Sequence, residues 1–386
     1  MNPEQEEDEL LFQKAEVEWT DIPNSMPNSL DELILPVEYP AVSEAPVVAR
    51  AASLSLFRAI LWCLLFLCVT QFLPLVGVFV YYLLARPDIQ QAVTKDPGLL
   101  LHDPSILPTL IVTGQLTAVL FAVGLTFWKF GKQWPRLIAL RLPKLDHLIL
   151  VLLGMPALFV VIHSLEAVVR YLPDIEISDS GSLKELMSKL VDSTSSWPWQ
   201  LAVFAIGICP AIAEEFFCRG VLGRGLVGRY GFLPGILITS LLFGALHVEP
   251  HQAVLATFMG VVLHGCYVAS RSFLIPVLIH FLNNSLAVLS VSKTGNVPLF
   301  TSLEETYERN GYIFLFSATM VLATIGLAFY QSRFQAIPLD GRTYPDSVEI
   351  PEKNSDLALF REPIPPGTIV LIVLALSGFS AIWWNL

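Results

Sequence analysis

The sequence predicts an all-α protein, a polytopic transmembrane bundle of about eight to nine spans. Three observations carry that prediction. Of the 386 residues, 54% are hydrophobic and only 15% charged, with a mean hydropathy of +0.61, outside the range of soluble domains. Apolar runs of about 20 residues recur, each long enough to cross a bilayer core. The net charge of −11 is local, since Met1 to Arg50 holds twelve Asp/Glu against two Lys/Arg while the remainder is almost neutral. An acidic tail on an uncharged body gives no basic surface for nucleic acid.

Residues 1–52 combine Pro, Glu and Asn with few apolar residues, so this stretch predicts a cytoplasmic tail without a core of its own. It lacks the basic region, short apolar core and small-residue cleavage site of a secretory signal, which leaves the first span as an uncleaved targeting signal. The nine expected spans are Ala59 to Leu84, Ile106 to Phe130, His147 to Val169, Trp199 to Leu222, Leu233 to His247, Ala253 to Ser270, Phe273 to Val291, Tyr312 to Tyr330 and Thr368 to Trp384. Pro74 and Pro156 interrupt two of them, as neighbouring helices permit. Trp62, Trp128, Trp197, Trp199, Trp383 and Trp384 sit near span ends, where an amphipathic ring prefers the interface. Residues 53–196 therefore read as N-terminal membrane helices, 197–292 as a central helical core, and 293–386 as C-terminal helices joined by a polar linker over 331–366. Within the first block, residues 182–193 place Leu183, Leu186, Met187 and Leu190 on one face behind a capping box of Ser182 and Glu185, predicting a short interfacial helix.

Lys129, Lys132, Arg136, Arg141 and Lys144 crowd the connection after the second span, which marks it as cytoplasmic and places the N-terminus on the same side. Arg219, Arg224 and Arg229 agree with that orientation. Cys63, Cys68, Cys209, Cys218 and Cys266 lie in apolar runs with no CxxC pair and read as small buried hydrophobes.

Ionisable side chains at bilayer depth each cost at least about 2.5 kcal/mol and so call for a partner or a function. In "AIAEEFFCRG" Glu215 and Arg219 stand at i and i+4 and can pair, whereas Glu214, about 100° around the helix, is left over. An unpaired carboxylate in a low dielectric readily accepts a proton, which is what a general base does. Read alone, the cluster is equally an ordinary juxtamembrane group that snorkels to the interface. "LFGALHVEPHQ" sets His247 at a span end with Glu249 and His251 beyond it. The pair His247 and His251 resembles the zinc ligands of HExxH only superficially, because Val248 holds the Glu position and Pro250 breaks the helix. In "LIHFLNN", His280 and Asn284 share one face in mid-span and must turn away from lipid, either to an interhelical hydrogen bond or to a site. His163, Glu166 and His264 read as bundle-facing polar residues or as the wall of a wet cavity.

Taken in order, these three elements resemble the CPBP family of intramembrane proteases, which includes the prenyl-protein CAAX endopeptidases and bacterial CAAX amino-terminal proteases. The family elements EExxxR, FxxxH and HxxxN read here as Glu214, Glu215 and Arg219; Phe243 and His247; His280 and Asn284. Gly260, Tyr267, Pro276 and Asn283 also match the approach to the third element, whereas Arg271 stands where small residues are commoner and His264 where Gly is usual. The resemblance covers Trp199 to about Val291. It implies an intramembrane endopeptidase acting on a membrane protein or lipidated, CAAX-type peptide, in a bacterial plasma membrane rather than the endoplasmic reticulum. It implies that Glu214 with His247 activates water, that His280 and Asn284 stabilise the oxyanion, and that Glu215, Arg219 and Phe243 orient the site. Glu214, His247 and His280 are alternatively candidate ligands for Zn²⁺, since part of the family's naming assumes a metal, although neither a thiolate cluster nor HExxH is present. A proton- or ion-coupled transporter using the same residues as a relay, and a non-catalytic membrane scaffold, are the competing readings.

One geometric problem follows from the register. In straight helices Glu214 lies about 22 Å from Trp199 and His247 about 21 Å from Leu233, at 1.5 Å per residue, which puts the two residues near opposite faces. A long, tilted fourth helix running past Gly220 is the expected solution.

Overall fold

The computed structural model describes residues 53–85, 106–169, 197–247, 249–291, 298–338, 348–351 and 357–385. The expected tail and the expected helix over 182–193 lie outside these residues. Nine apolar helices follow in chain order among the described residues: α1 Leu56–Tyr81, α2 Pro108–Leu137, α3 Leu145–Val169, α4 Trp199–Tyr230, α5 Phe232–Ala245, α6 Pro250–Ser270, α7 Leu274–Ser290, α8 Gly311–Gln331 and α9 Pro366–Trp384. Each coincides with one apolar run of the sequence. Seven are long and apolar enough to cross a membrane, while α5 and α7 are shorter. The bundle turns large side chains outward, among them Phe57, Leu120, Leu152, Phe316 and Trp384. An apolar surface of that extent belongs against lipid, and the chain is an integral membrane protein.

The two largest packing groups among the described residues hold most of the interior. One joins α3, α6, α7, α8 and α9 through residues such as Leu150, Leu263, Ile279, Phe314 and Phe379. The other joins α1, α2, α4 and α5 through Phe66, Ala122, Phe217, Leu222 and Phe243, with the rings of Phe66 and Phe217 stacked at 4.4 Å. Lipid tails are as apolar as leucine, so close approach at small residues must do much of what hydrophobic burial does in water. Gly235 and Gly260 show this: α5 meets the α4 backbone at Gly235, and α6 meets Ser240 of α5 at Gly260. A Cβ on Gly235 would lie 2.5 Å from Val227 Cα and 2.7 Å from Val227 N, both backbone atoms that cannot step aside. Gly235→Ala should therefore open the α4–α5 crossing and cost about 1–3 kcal/mol, read as a lowered thermal unfolding midpoint in detergent.

Two expectations need correction. Trp197, expected at the interface, is 5% exposed and packs with Ala202, Ala205 and Val288. Cys68, expected to be buried, is exposed on the outer face of α1, where a thiol is apolar enough for lipid. The polar linker over 331–366 contains a two-stranded ribbon in which β1 (Gln335–Pro338) pairs antiparallel with β2 (Leu357–Phe360). Residues 348–351, between the strands in sequence, lie against the bundle: Ile350 N–H donates to the Arg136 carbonyl at 3.1 Å, and Arg224 pairs with Glu349. Three of the basic residues singled out in the sequence, Arg136, Arg141 and Arg224, thus clamp the chain. Arg141 donates to the carbonyls of Arg271 (2.6 Å) and Ser270 (2.8 Å), holding the turn between α6 and α7. Arg271 caps α6 with φ of +42°, a left-handed conformation natural for glycine, which explains why a small residue suits this position.

Candidate active site

The site begins with the irregularity of α4. Pro210 has no N–H to give the carbonyl four residues back, and the helix widens to a π conformation over Val203–Ile208 just before it. A regular α segment, Cys209–Glu215, follows, and a second π stretch runs over Phe216–Gly223. The 32-residue α4 continues to Tyr230, as the register argument required. The two glutamates sit at the boundary between α and π winding, a common setting for functional residues.

Glu215 and Arg219 are both fully buried and joined by a 2.8 Å ion pair. Arg219 also donates from Nη2 to the Gly260 carbonyl of α6 (3.0 Å) and lies 4.7 Å over the Phe243 ring of α5. Glu215 Oε1 accepts a second hydrogen bond from His280 Nδ1 of α7 at 2.9 Å. One buried ion pair therefore pins four helices together. The planar guanidinium supplies the two divergent donors and the ring stacking that this needs.

Glu214 is different. Its Oε2 is buried and has no hydrogen-bond partner among the described residues, although the side chain as a whole is 21% exposed. His280 Nε2 lies 3.8 Å from that oxygen, beyond a direct hydrogen bond. With Nδ1–H donated to Glu215, the neutral ring of His280 presents a lone pair at Nε2. The result is an unsatisfied carboxylate oxygen and a ring nitrogen facing the same small space.

His247 joins through Phe243. Its ring centroid is 5.2 Å from that of Phe243, which is 5.9 Å from that of His280, and its Nδ1 contacts the Phe243 carbonyl at 3.1 Å. His247 and His280 therefore flank one aromatic ring, and the closest histidine contact of Glu214 among the described residues is with His280 rather than His247. Asn284, one turn beyond His280, donates from Nδ2 to the Ile206 carbonyl at 3.2 Å and accepts from Asn283. Ile206 is four residues before Pro210, so Asn284 takes up the carbonyl that the proline strands. Sequence reasoning missed this contact and the Gly260 carbonyl, because a backbone acceptor carries no residue-type signal.

Glu249 and His251 stand apart. Glu249 caps α6, accepting from the backbone N–H of His251 (3.0 Å) and Gln252 (2.6 Å) and from the His251 ring (2.9 Å). Burial alone would push its carboxyl up, but those donors outweigh it and hold the group below its usual range. Glu249→Ala should cost about 0.5–2 kcal/mol. Because the folded value is the lower one, the charge-linked part of that stability is present above the ordinary glutamate range and fades as pH falls through the folded value. Unfolding scans of both proteins across acid pH test this.

His264 is buried against Gly223 and has no part in the cluster. Among the described residues no three His, Cys, Asp or Glu side chains come together as a metal would require. The expected Zn²⁺ set of Glu214, His247 and His280 is thus not gathered into one group of three: His280 Nε2 faces Glu214, whereas the His247 ring lies against Phe243. Two facing donors, Glu214 and His280, fall short of the three protein ligands of a catalytic zinc site.

Residues 196–286, about a quarter of the chain, match the Rce1-like type II CAAX prenyl endopeptidase family. No curated protein and no solved structure matches the chain. The matched region contains α4, α5, α6 and most of α7, the helices that hold the carboxylate and histidine cluster. The match supports a membrane-embedded protease of the CAAX type that acts on protein substrates within the bilayer.

Proposed function

We propose that the chain is an intramembrane endopeptidase that hydrolyses a peptide bond near the C-terminus of a prenylated, CAAX-type membrane protein, with Glu214 as the general base. The observation that carries this reading is the unsatisfied Glu214 Oε2 facing His280 Nε2 at 3.8 Å, while the neighbouring Glu215 is engaged by Arg219 and His280. A water between the two groups donates one hydrogen to Glu214 Oε2 and the other to His280 Nε2. Its lone pair is then directed at the scissile carbonyl carbon. As the C–O bond forms, the proton passes to Glu214, and the carbonyl π electrons move onto oxygen. The second N–H of Asn284, whose Nδ2 already donates once to the Ile206 carbonyl, is the donor offered to that oxyanion. Collapse of the tetrahedral intermediate breaks the C–N bond, and Glu214 returns its proton to the departing amine.

Glu215, Arg219 and Phe243 are positioning residues in this scheme, fixing the His280 ring and the segment that carries Glu214. The basic residues at the C-terminal ends of α2 and α4 support a cytoplasmic placement for those ends, where a CAAX-type substrate would be presented at a plasma membrane. Comparative proteomics of membranes carrying the parent protein or Glu214→Ala tests the proposal. A protease accumulates uncut precursors in the variant. A carrier loses uptake without precursor accumulation, and a scaffold changes neither, and either result refutes the assignment.

A further inference from the structure

A second feature lies across α6 and α7 from the carboxylate cluster. A cavity of about 620 Å³ opens between α3, α6 and α8, lined by apolar groups such as Leu150, Leu158 and Leu322, with Arg271 and Arg333 among its lining residues. Ile279 faces it while the adjacent His280 faces the carboxylates, and none of Glu214, Glu215, Arg219, His247 or Asn284 reaches it. The volume falls within the range of about 300–1,000 Å³ typical of ligand sites.

Its polarity is graded along the helices. From Leu322 to Arg333 the wall of α8 and its extension runs eleven residues, about 16 Å, or half of a hydrocarbon core about 30 Å thick. The apolar part thus spans one leaflet, and the arginines mark its end at the headgroup level. Arg333 is half-buried, donates to the Tyr330 carbonyl at 2.6 Å and stacks on that ring, and among the described residues no carboxylate pairs with it. Arg141 and Arg361 flank the same end, 3.9 Å and 5.7 Å over the ring of Phe334, another lining residue, with Arg361 also paired to Asp146 at 2.5 Å. Arg141 is held below its usual range first by burial and then by the neighbouring Arg361 charge, as crowded cations are. A collar of arginines over a one-leaflet apolar slot is complementary to an anionic headgroup with acyl chains below it.

The geometry points to a binding site for an anionic phospholipid of the leaflet on the basic side, its acyl chains between α3, α6 and α8 and its phosphate against Arg333. This site is distinct from the peptidase site and does not rest on that assignment. Two lining glycines make it testable, since a Cβ on Gly265 or Gly326 meets no atom within 4 Å and a larger side chain there grows into the cavity.

The full chain, in phosphatidylcholine vesicles, is photolabelled with phosphatidylglycerol carrying a diazirine in its acyl chain, and labelled residues are mapped by mass spectrometry. Labelling should fall on α3, α6 and α8, saturate, and be competed by unlabelled phosphatidylglycerol but not by phosphatidylcholine. Gly326→Leu should abolish it, with Gly265→Leu as the second blocking variant should the first unfold. Arg333→Gln should weaken competition by phosphatidylglycerol about fivefold, the worth of one arginine near a headgroup. Labelling that survives both blocking variants, or equal competition by phosphatidylcholine, would overturn the site. So would full competition by glycerol phosphate, which lacks chains, or displacement by a farnesylated peptide where phosphatidylglycerol does not compete.

Discussion

Glu214→Gln should lower peptidase turnover by about two to four orders of magnitude and leave the fold intact. The substitution keeps the side chain's length and shape. Glutamine can accept a hydrogen bond from the water, but it cannot take the proton that leaves as the C–O bond forms. The loss should therefore appear in kcat, with KM little changed, because substrate contacts are preserved. Stability should hold or rise, since the mutation neutralises a buried oxygen that has no hydrogen-bond partner among the described residues. The measurement is steady-state cleavage of a quenched fluorescent prenylated peptide by purified protein, alongside a thermal unfolding scan. A folded variant with near-normal kcat would remove Glu214 from the chemistry.

The second large effect concerns Arg219. Both it and Glu215 are fully buried, so Arg219→Met strands a carboxylate in the bundle interior and should destabilise by about 3–5 kcal/mol. Arg219→Lys should fail as well, because an ammonium cannot reach Glu215 Oε1 and the Gly260 carbonyl together while covering the Phe243 ring. The double variant Glu215→Met with Arg219→Met removes both charges and should recover part of the stability lost by the single change. It should not recover activity, because His280 loses the acceptor that fixes its ring. This separation, stability regained while turnover stays low, distinguishes a positioning pair from a merely structural one.

The helices were legible in the sequence because each apolar run is an independent signal tied to bilayer thickness, as the match of Thr368 to Trp384 with α9 illustrates. The pairing of Glu215 with Arg219 was legible for the same local reason, an i, i+4 spacing on one helix. What Glu214 faces was not. The expectation paired it with His247, whereas the structure sets it beside His280. Depth was reckoned at a uniform α-helical rise, and fourteen residues of α4 lie in π winding, which changes both rise and angular register. The pairing of Gln335–Pro338 with Leu357–Phe360 was hidden too, since strands of four residues, one ending in proline, carry too little alternation to stand out. The role of Asn284 as partner of the Ile206 carbonyl follows from Pro210 only once the helices are docked.

The clamps around the turn between α6 and α7 have a consequence for biosynthesis. Phe334 donates its N–H to Ala269, Arg271 donates to the Phe334 carbonyl, and Arg224 engages Glu349. All the catalytic candidates lie upstream of these partners and leave the ribosome first. A nascent chain released after α7 would therefore carry every reactive group yet lack the ties that lock them in register, so hydrolytic competence should arise only when translation has passed residue 350.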